Sequence, residues 1–376
     1  MPFRSRLHDE RLAAVLGVAL GVAFAVCFLT GLLSHLVQDP PSWFHWPPRP
    51  AGLYRVTQGL HVATGLASVP LLLAKLWVAY PRFWGWPPVR SVAHAVERVS
   101  LVPLVGGSLF LLLSGVGNVF RWRPWAFSFT AGHFWVAWLV VGGLVVHVGA
   151  TWATTARVVG RGGAAASRPL VDGPPADAAL DRRGFLAAVA AAAGAVTVFT
   201  VGQTVRPLER LALVAPRRPS AGPQGVPVNT TAAGAGVVDA ATAPAWRLSV
   251  TGAVERELSL SLDDLRAMPQ REATLPIACV EGWSSTATWR GVPVRDVLAM
   301  AGAADGAGAT VASLQEGGIY RTSDLSPAQA ADPDTLLALD LGGEPLHLDH
   351  GFPLRLIGPN RPGVQQTKWL SAVVVR

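Results

Sequence analysis

Two kinds of residue in this 376-residue chain could hold a redox metal: an isolated cysteine and a set of histidines in apolar stretches. Cys279, in "LPIACVEGWSS", is one of only two cysteines. The other, Cys27, lies far away inside an apolar run, so the sequence predicts no pairing between them and excludes a disulfide framework.

Cys279 taken by itself has three interpretations. A free buried cysteine most often behaves as a small apolar core side chain. A nucleophile needs an activating base, and the candidates, His347 and His350, are distant in the sequence. A metal ligand needs partners: one thiolate is too few for zinc or an iron–sulfur cluster, and it suffices only where a cofactor supplies the other ligands.

The histidines have a spacing that suits haem. His133 and His147 lie on one predicted helix, within about 40° of one face and roughly 21 Å apart along its axis. His61 and His94 fall at matching depths, which predicts an outer haem between His61 and His133 and an inner haem between His94 and His147. A single haem, or histidines bonded only to backbone carbonyls near the interface, is the alternative.

Five apolar stretches must position these histidines. Each approaches the roughly 20 residues that a membrane-spanning helix needs, and they cover residues 12–36, 56–79, 99–119, 133–156 and 185–204. Their flanking arginines favour a cytoplasmic N-terminus, so we expect a multi-pass membrane protein whose C-terminal domain is extracytoplasmic. The net charge of +7 does not indicate nucleic acid, because no basic stripe with interleaved aromatic residues occurs.

The first four predicted spans resemble the bacterial cytochrome b561 and hydrogenase/formate dehydrogenase type of haem b membrane subunit. The resemblance covers residues 10–157 and rests on the bundle with "QGLHVATG", "AHAVER", "AGHFW" and "VVHVG". It implies haem b as cofactor and a quinone or another membrane electron donor as partner.

The fifth span follows "DRRGF", in which Arg182 and Arg183 precede a weakly hydrophobic Ala-rich run. This resembles a twin-arginine export signal, which is read by a receptor that exports folded cargo. The alternative is that the two arginines only obey the positive-inside rule.

After a Pro/Gly-rich linker the pattern changes to that of a mixed α+β domain. "WRLSVTGAV" alternates as a strand does, and "LSLDDLRAMP" predicts a helix capped by Ser261. "VPVRDVLAMAG" predicts a second short helix, and "HGFPLRLIGPN" and "KWLSAVVVR" predict strands.

Three motifs in this domain resemble the sulfite oxidase family of molybdopterin domains. They are "ACVEGWSSTATWRGVPVRDVLAMAG", "GGIYRTSDL" and "HGFPLRLIGPNRPGVQQTKWL", within residues 226–376. The "CVEGWS" form is most similar to the branch that contains the periplasmic methionine sulfoxide reductase catalytic subunit.

The resemblance implies a set of site residues. It makes Cys279 the thiolate ligand of molybdenum and Tyr320 a catalytic substrate contact, and it makes a further group pterin contacts: Asn229, Ser313, His350, Arg355, Gln366, Thr367 and Lys368. The chain departs from the family pattern at Gln365, where a second lysine is frequent. It also lacks the arginine-rich stretch after the cysteine of true sulfite oxidases, which argues against sulfite as substrate.

These resemblances together predict a fold of two classes, an all-α transmembrane four-helix haem b bundle with one further transmembrane helix, followed by an α+β sulfite oxidase-type domain. The predicted segments are the cytochrome b-like domain (1–158), a cytoplasmic linker (159–183), the fifth transmembrane helix (184–205), a second linker (206–225) and the molybdopterin domain (226–376).

The predicted function is that of a membrane-bound molybdopterin-dependent oxidoreductase with one or two haems b. It would act on a small substrate, with reduction of an S- or N-oxide favoured. Two alternatives stay open: a haem b electron-transfer protein with a non-catalytic outer binding domain, and a transmembrane reductase that uses the haems alone.

Overall fold

A computed structural model describes residues 5–122, 124, 126–160, 162–170, 180–318 and 320–376. The chain divides into two compact units. The helical unit comprises Met1–Leu32 and Leu60–Thr200, and the C-terminal unit comprises Leu33–Gly59 and Val201–Arg376. Residues 33–59, which the sequence analysis assigns to the cytochrome b-like segment, therefore group with the C-terminal unit.

Five long apolar helices fill the N-terminal half, as predicted. They are α1 (Glu10–Gln38), α2 (Leu53–Phe83), α3 (Val92–Val119), α4 (Phe129–Val159) and α5 (Arg182–Val201). Each is long and apolar enough to cross a bilayer. The chain is thus a candidate multi-pass membrane protein. Part of the predicted cytoplasmic linker, residues 161 and 171–179, lies outside the described residues.

Local sequence explains two features of these helices. α3 contains a π-helical segment at Val102–Gly106, where Pro103 lacks the N–H that a regular turn would use. α5 begins at Arg182, whose guanidinium pairs with the buried carboxylate of Asp9 at 3.0 Å. The first arginine of the predicted export motif therefore has a partner within the helical unit.

The C-terminal unit contains two five-stranded sheets. One has the order β2-β1-β10-β5-β6, and the other has the order β3-β4-β7-β8 with β9 also paired to β7. Their strands are β1 (Leu248–Gly252), β2 (Leu258–Leu260), β3 (Arg271–Ala278), β4 (Ser284–Pro293), β5 (Ala309–Ser313), β6 (Thr322–Leu325), β7 (Leu336–Leu341), β8 (Glu344–Pro345), β9 (Arg355–Ile357) and β10 (Leu370–Val375). The predicted strands in "WRLSVTGAV", "HGFPLRLIGPN" and "KWLSAVVVR" are β1, β9 and β10.

Short helices precede the first strand or lie between the strands. They are α6 (Ala232–Ala235), α7 (Val238–Thr242), α8 (Leu262–Ala267), α9 (Val294–Met300) and α10 (Pro327–Ala331). Ser261 caps α8 through a capping box with Asp264, which confirms the predicted cap. The second predicted short helix is α9.

The two largest apolar clusters among the described residues of this unit form most of its core. The larger one packs buried residues of β1, β5, β7 and β10 around α8 and α9. The smaller one surrounds Cys279 with Ile277, Trp283 and Trp289, which come from β3, the following turn and β4. Burial of these large side chains is the main stabilising contribution, at about 25 cal/mol per Å² of apolar surface, and it fixes the turn that carries the cysteine.

Candidate functional site

A pocket opens beside Cys279. It is lined by Pro227, Val228, Asn229, Ile277, Cys279, Trp283, Asp349, His350, Arg355, Gly363 and Lys368. Five residues that the sequence predicts for the cofactor site are in this lining: Asn229, Cys279, His350, Arg355 and Lys368. The first and last of these residues, Asn229 and Lys368, are 139 positions apart in the chain. Folding therefore brings the five residues together.

Cys279 lies directly after β3, in the tight turn that leads to β4. Its N–H donates to the carbonyl of Trp283 at 2.9 Å, and Gly282, at φ 95°, closes the turn. Only glycine adopts this backbone conformation without strain. The thiol is 2 % exposed, and burial raises its pKa to about 12. By itself the group is therefore a neutral thiol near pH 7, and a bound metal would be needed to make it a thiolate.

Two cations face the pocket without a carboxylate bound to either in the described part of the chain. Arg355 donates from Nη1 to the carbonyl of His350 at 3.0 Å, and its Nε is buried without a partner. Lys368 donates to the carbonyls of Thr230 and Asp349 and lies 4.3 Å from the Trp369 ring centre.

The environment of these cations explains what the pocket can bind. Burial lowers the pKa of Arg355 to about 9 and that of Lys368 to about 7. A buried cation without an anionic partner is costly, so a bound anion such as a phosphate would stabilise Arg355. Asp349, in the same lining, already raises the pKa of Lys368 against the larger effect of burial. The pocket thus has the chemistry expected for an anionic cofactor beside a potential metal ligand.

His350 is held by the linker that precedes the domain. Its Nε2 lies 2.7 Å from the carbonyl of Pro223, so Nε2 carries the donated proton and Nδ1 is the remaining ring nitrogen. Burial, with Arg355 as the second cause, lowers the pKa of His350 to about 4. Gly351 follows at φ 113°, and a Cβ there would lie 3.0 Å from Cβ of Lys368, so this glycine permits the close approach of the two motifs.

Four other predicted residues do not line the pocket. Ser313, at the end of β5, donates to the carbonyl of Lys368 at 2.8 Å. Thr367 bonds to Ser323, and Gln366 donates to the carbonyl of Arg361 with its own Oε1 buried and unpartnered. Ser313, Gln366 and Thr367 thus hold the segment around Lys368, which precedes β10, in place. Tyr320 is half-buried in the turn before β6, at some distance in the chain from the lining residues.

Several lining residues escaped sequence reasoning. Trp283 lies inside the "CVEGWS" motif, Ile277 lies two residues before Cys279, and Asp349 directly precedes the "HGFPLR" motif, so these motifs were the available signal. Arg361 is 2 % exposed and donates to Gln329 and to the carbonyl of Gln365. Arg361 does not line the pocket. The sequence signal for its burial was its position between "HGFPLR" and "QQTKW".

In the helical unit, His61 and His133 face each other. Their ring centres are 6.3 Å apart at an interplanar angle of 71°. Nδ1 of His61 lies 2.8 Å from the carbonyl of Cys27, and Nδ1 of His133 lies 3.0 Å from Oγ of Ser114. These bonds orient both rings and leave Nε2 of each as the nitrogen available to a metal.

His94 and His147 have no such arrangement in the described part of the chain. His94 lies in the exposed first turn of α3 and accepts from the N–H of Arg90 at 3.2 Å. His147 has a buried Nδ1 without a partner and lies within electrostatic range of Lys75, Glu97 and Arg82. The predicted inner pair of His94 and His147 stays a prediction.

In the described part of the chain, no metal site is made wholly of protein side chains. Within residues 5–122, 124, 126–160, 162–170, 180–318 and 320–376, no three His, Cys, Asp or Glu side chains are placed to share a metal ion. A metal at Cys279 would therefore take its other ligands from a cofactor.

Comparisons with known proteins agree with this arrangement. Residues 235–376 match the family described as oxidoreductase molybdopterin binding domain. The chain is 36% identical over 129 residues to the uncharacterized oxidoreductase YuiH of Bacillus subtilis, with 34% of this chain and 64% of that protein covered. No family match is found for the N-terminal helical region.

Two further relatives carry names that describe a function. The chain is 36% identical over 138 residues to the putative protein-methionine-sulfoxide reductase subunit YedZ1 of Azospira oryzae, with 37% of this chain and 50% of that protein covered. It is 36% identical over 158 residues to the mitochondrial sulfite oxidase of Rattus norvegicus, with 35% of this chain and 29% of that protein covered. The chain therefore spans less than two thirds of the length of each of these relatives.

Proposed function

We propose that the protein is a membrane-bound molybdenum-dependent oxidoreductase that exchanges electrons with haem b in its own helical unit. The premise is the match of residues 235–376 to the family described as oxidoreductase molybdopterin binding domain. One observation carries the proposal. The thiol of Cys279 lies in the same pocket as two buried cations, Arg355 and Lys368, that have backbone carbonyls as their bonded partners. That combination suits a metal ligand next to a phosphate-bearing cofactor.

The residues divide the work of holding the cofactor. Cys279 would be the thiolate ligand, Arg355 and Lys368 would neutralise the phosphate, and Asn229 and His350 would bond to polar atoms of the pterin. Molybdenum, when bound, supplies two-electron oxygen-atom transfer. The protein's part is to exclude water through Trp283 and Ile277 and to keep the cations fixed before the cofactor arrives.

The outer histidine pair supports a haem b as electron carrier. Two metal–nitrogen bonds of about 2 Å, with roughly 1 Å more from each nitrogen to its ring centre, require ring centres about 6 Å apart, which agrees with the observed 6.3 Å. Glycines flank both rings. A Cβ on Gly31 would lie 2.7 Å from Cε1 of His61, and one on Gly115 would lie 3.6 Å from Cε1 of His133.

The substrate class that we favour is a small S-oxide, with N-oxides as a related class. Its reduction consumes two electrons and two protons and yields the deoxygenated product and water. The similarity to a relative named as a methionine sulfoxide reductase subunit supports this choice. Sulfite is disfavoured, because the stretch after Cys279 reads "VEGWSSTATW" and contains no cation before Arg290.

Membrane orientation completes the proposal. The arginine distribution favours a cytoplasmic N-terminus and an extracytoplasmic molybdenum domain. Folded export through the Arg182-Arg183 motif would allow the cofactor to be inserted in the cytoplasm first.

The test is the metal content of the purified full-length protein, with a pyridine haemochrome assay and reduction of methionine sulfoxide by reduced viologen. We expect about one molybdenum per chain and iron as haem b. Cys279→Ser should lower turnover at least about a thousandfold, because the reaction depends on the metal. The matched control, Cys27→Ser, removes the other cysteine outside the pocket and should keep the molybdenum content.

Two outcomes would contradict the proposal. Protein without molybdenum would favour a non-catalytic outer domain. Full activity in Cys279→Ser would favour a reductase that uses the haems alone.

A further inference from the structure

Residues 33–59, the end of α1, the following loop and the start of α2, are built into the C-terminal unit. Asn360 lies at the centre of the attachment and is fully buried. Its Oδ1 accepts from the N–H of Tyr54 at 2.7 Å, its Nδ2 donates to the carbonyl of Pro47 at 2.6 Å, and its own carbonyl accepts from Nε1 of Trp46 at 2.8 Å. A short stretch of α2 is therefore held in a fixed position.

A second group of bonds locks the two helix ends together. Oγ of Ser34 donates to Oε1 of Gln58 at 3.0 Å and lies 3.1 Å from the hydroxyl of Tyr54. All three side chains are buried, and Gln58 is only 6 % exposed. The bond from Ser34 occupies the oxygen of the Gln58 amide, so the amide can present only its NH₂ group elsewhere.

That NH₂ group reaches the turn that carries Cys279. Nε2 of Gln58 donates to the carbonyl of Val280 at 3.3 Å. The peptide group between Val280 and Glu281 also carries the N–H of Glu281. This N–H donates to the sulfur of Cys279, and so does the N–H of Val280. A continuous chain of hydrogen bonds thus runs from the α2 amide, across one peptide group, to the sulfur.

We propose that Gln58 is a positioning residue for the molybdenum ligand, which acts on the Cys279 sulfur through the peptide group between Val280 and Glu281. The inference rests on the proposed function in one respect, namely that Cys279 binds molybdenum. Donation to the Val280 carbonyl polarises the peptide and strengthens its N–H bond to the sulfur. Hydrogen bonds to a ligand sulfur draw electron density from it and raise the reduction potential of the metal that it binds.

Gln58 also lies close to a proposed haem ligand on the same helix. Gln58 lies three residues before His61 on α2, a rise of roughly 4.5 Å. The helix that carries the proposed haem ligand thus contributes a hydrogen bond toward the proposed molybdenum ligand. A change in the α2 segment would alter the potential of the metal at Cys279 without any change in the pocket lining.

The experiment compares Gln58→Met with Gln38→Met in the full-length holoenzyme. Methionine keeps the length of glutamine and removes its amide. Gln38 is the matched control: its amide donates to the same Ser34, but in the described residues it makes no bond to the Cys279 turn, so it tests the network without the last link. The readouts are molybdenum content, the Mo(V) electron paramagnetic resonance spectrum and the midpoint potential of the molybdenum centre in a redox titration.

We expect Gln58→Met to keep its molybdenum, to show an altered Mo(V) spectrum and to favour the oxidised metal threefold to tenfold more than the wild type, where tenfold corresponds to 59 mV for a one-electron couple. Gln38→Met should give the wild-type spectrum and potential. Ser34→Ala, which frees the Gln58 amide to turn, should shift the potential in the same direction by less, and this variant decides the matter if Gln58→Met does not assemble.

The results separate the two claims. Wild-type protein without molybdenum would overturn the proposed function. Molybdenum-containing Gln58→Met and Ser34→Ala proteins with wild-type spectra and potentials would overturn this inference and leave the proposed function intact.

Discussion

The Cys279 pocket and the His61–His133 pair, the two sites that we propose to hold redox cofactors, are built in different ways. The pocket gathers side chains from strands, turns and a linker, and its cations are held by backbone carbonyls. The histidine pair lies on α2 and α4, and the Nδ1 atoms of its rings contact Cys27 of α1 and Ser114 of α3. The pocket therefore depends on strands and their connections, whereas the pair depends on the packing of helices.

The largest expected effect tests the helical region. His61→Leu should abolish binding of the haem held by that pair, because a leucine side chain provides no axial nitrogen. The measurement is the pyridine haemochrome ratio of haem to protein.

His94→Leu is the matched substitution, because His94 lies in an exposed turn and bonds to its own loop. Its haem content should equal that of the wild type if only the outer pair binds haem. If His61→Leu and His94→Leu each lost half of the haem, the protein would bind two haems, and the two histidine pairs would have the same role.

The next effect tests the pocket cations. Arg355→Met should weaken retention of the molybdenum cofactor roughly 10- to 100-fold, because a hydrogen bond to a charged group contributes about 1.5–3 kcal/mol. The measurement is molybdenum released on dilution or gel filtration.

Arg290→Met is the control for this substitution, because Arg290 is exposed on β4 and pairs with Asp340 at 3.7 Å. Its cofactor retention should match that of the wild type. Equal loss in both variants would show that overall charge, and not the buried position of Arg355, governs retention.

A smaller effect concerns pH. The pKa of His350 in the folded protein is about 4, below its ordinary value of 6.5, because the ring is buried beside Arg355. Below pH 6.5 the unfolded chain binds more protons than the folded one, so the free energy of unfolding of the cofactor-free protein should fall as the pH drops toward 4, by up to about 3 kcal/mol. Thermal unfolding at several pH values measures this.

His350→Gln should flatten that dependence, because glutamine does not titrate. An unchanged pH dependence in His350→Gln would assign the acid sensitivity to other groups.

The smallest effect concerns Gln365, the position that departs from the family pattern. Its amide donates to the carbonyls of Val37 and Gln38, at 3.2 and 3.1 Å, and so caps the last turn of α1. Gln365→Met should lower the free energy of unfolding by about 1 kcal/mol. Gln365→Lys, which retains a donor, should lose less. Equal unfolding midpoints for both variants and the wild type would show that the cap does not stabilise the protein.

The sequence predicted the five apolar helices because hydropathy over about 20 residues is local information. The "CVEGWS", "HGFPLR" and "QQTKW" motifs each contain a residue that lines the Cys279 pocket, and the role of these residues at a cofactor stays a prediction. The attachment of residues 33–59 was not predictable in this way, because Trp46, Tyr54 and Asn360 meet across more than 300 residues. Likewise, nothing in its own motif indicates that Thr367 turns toward Ser323 and away from the pocket.

The bonds of Asn360 have a consequence for assembly. They join residues separated by 306 to 314 positions in the chain, and contacts of such high sequence separation form late in folding. The ribosome completes the loop between α1 and α2 long before it makes Asn360. A newly made chain therefore holds this loop without its bonding partner until Asn360 has been synthesised.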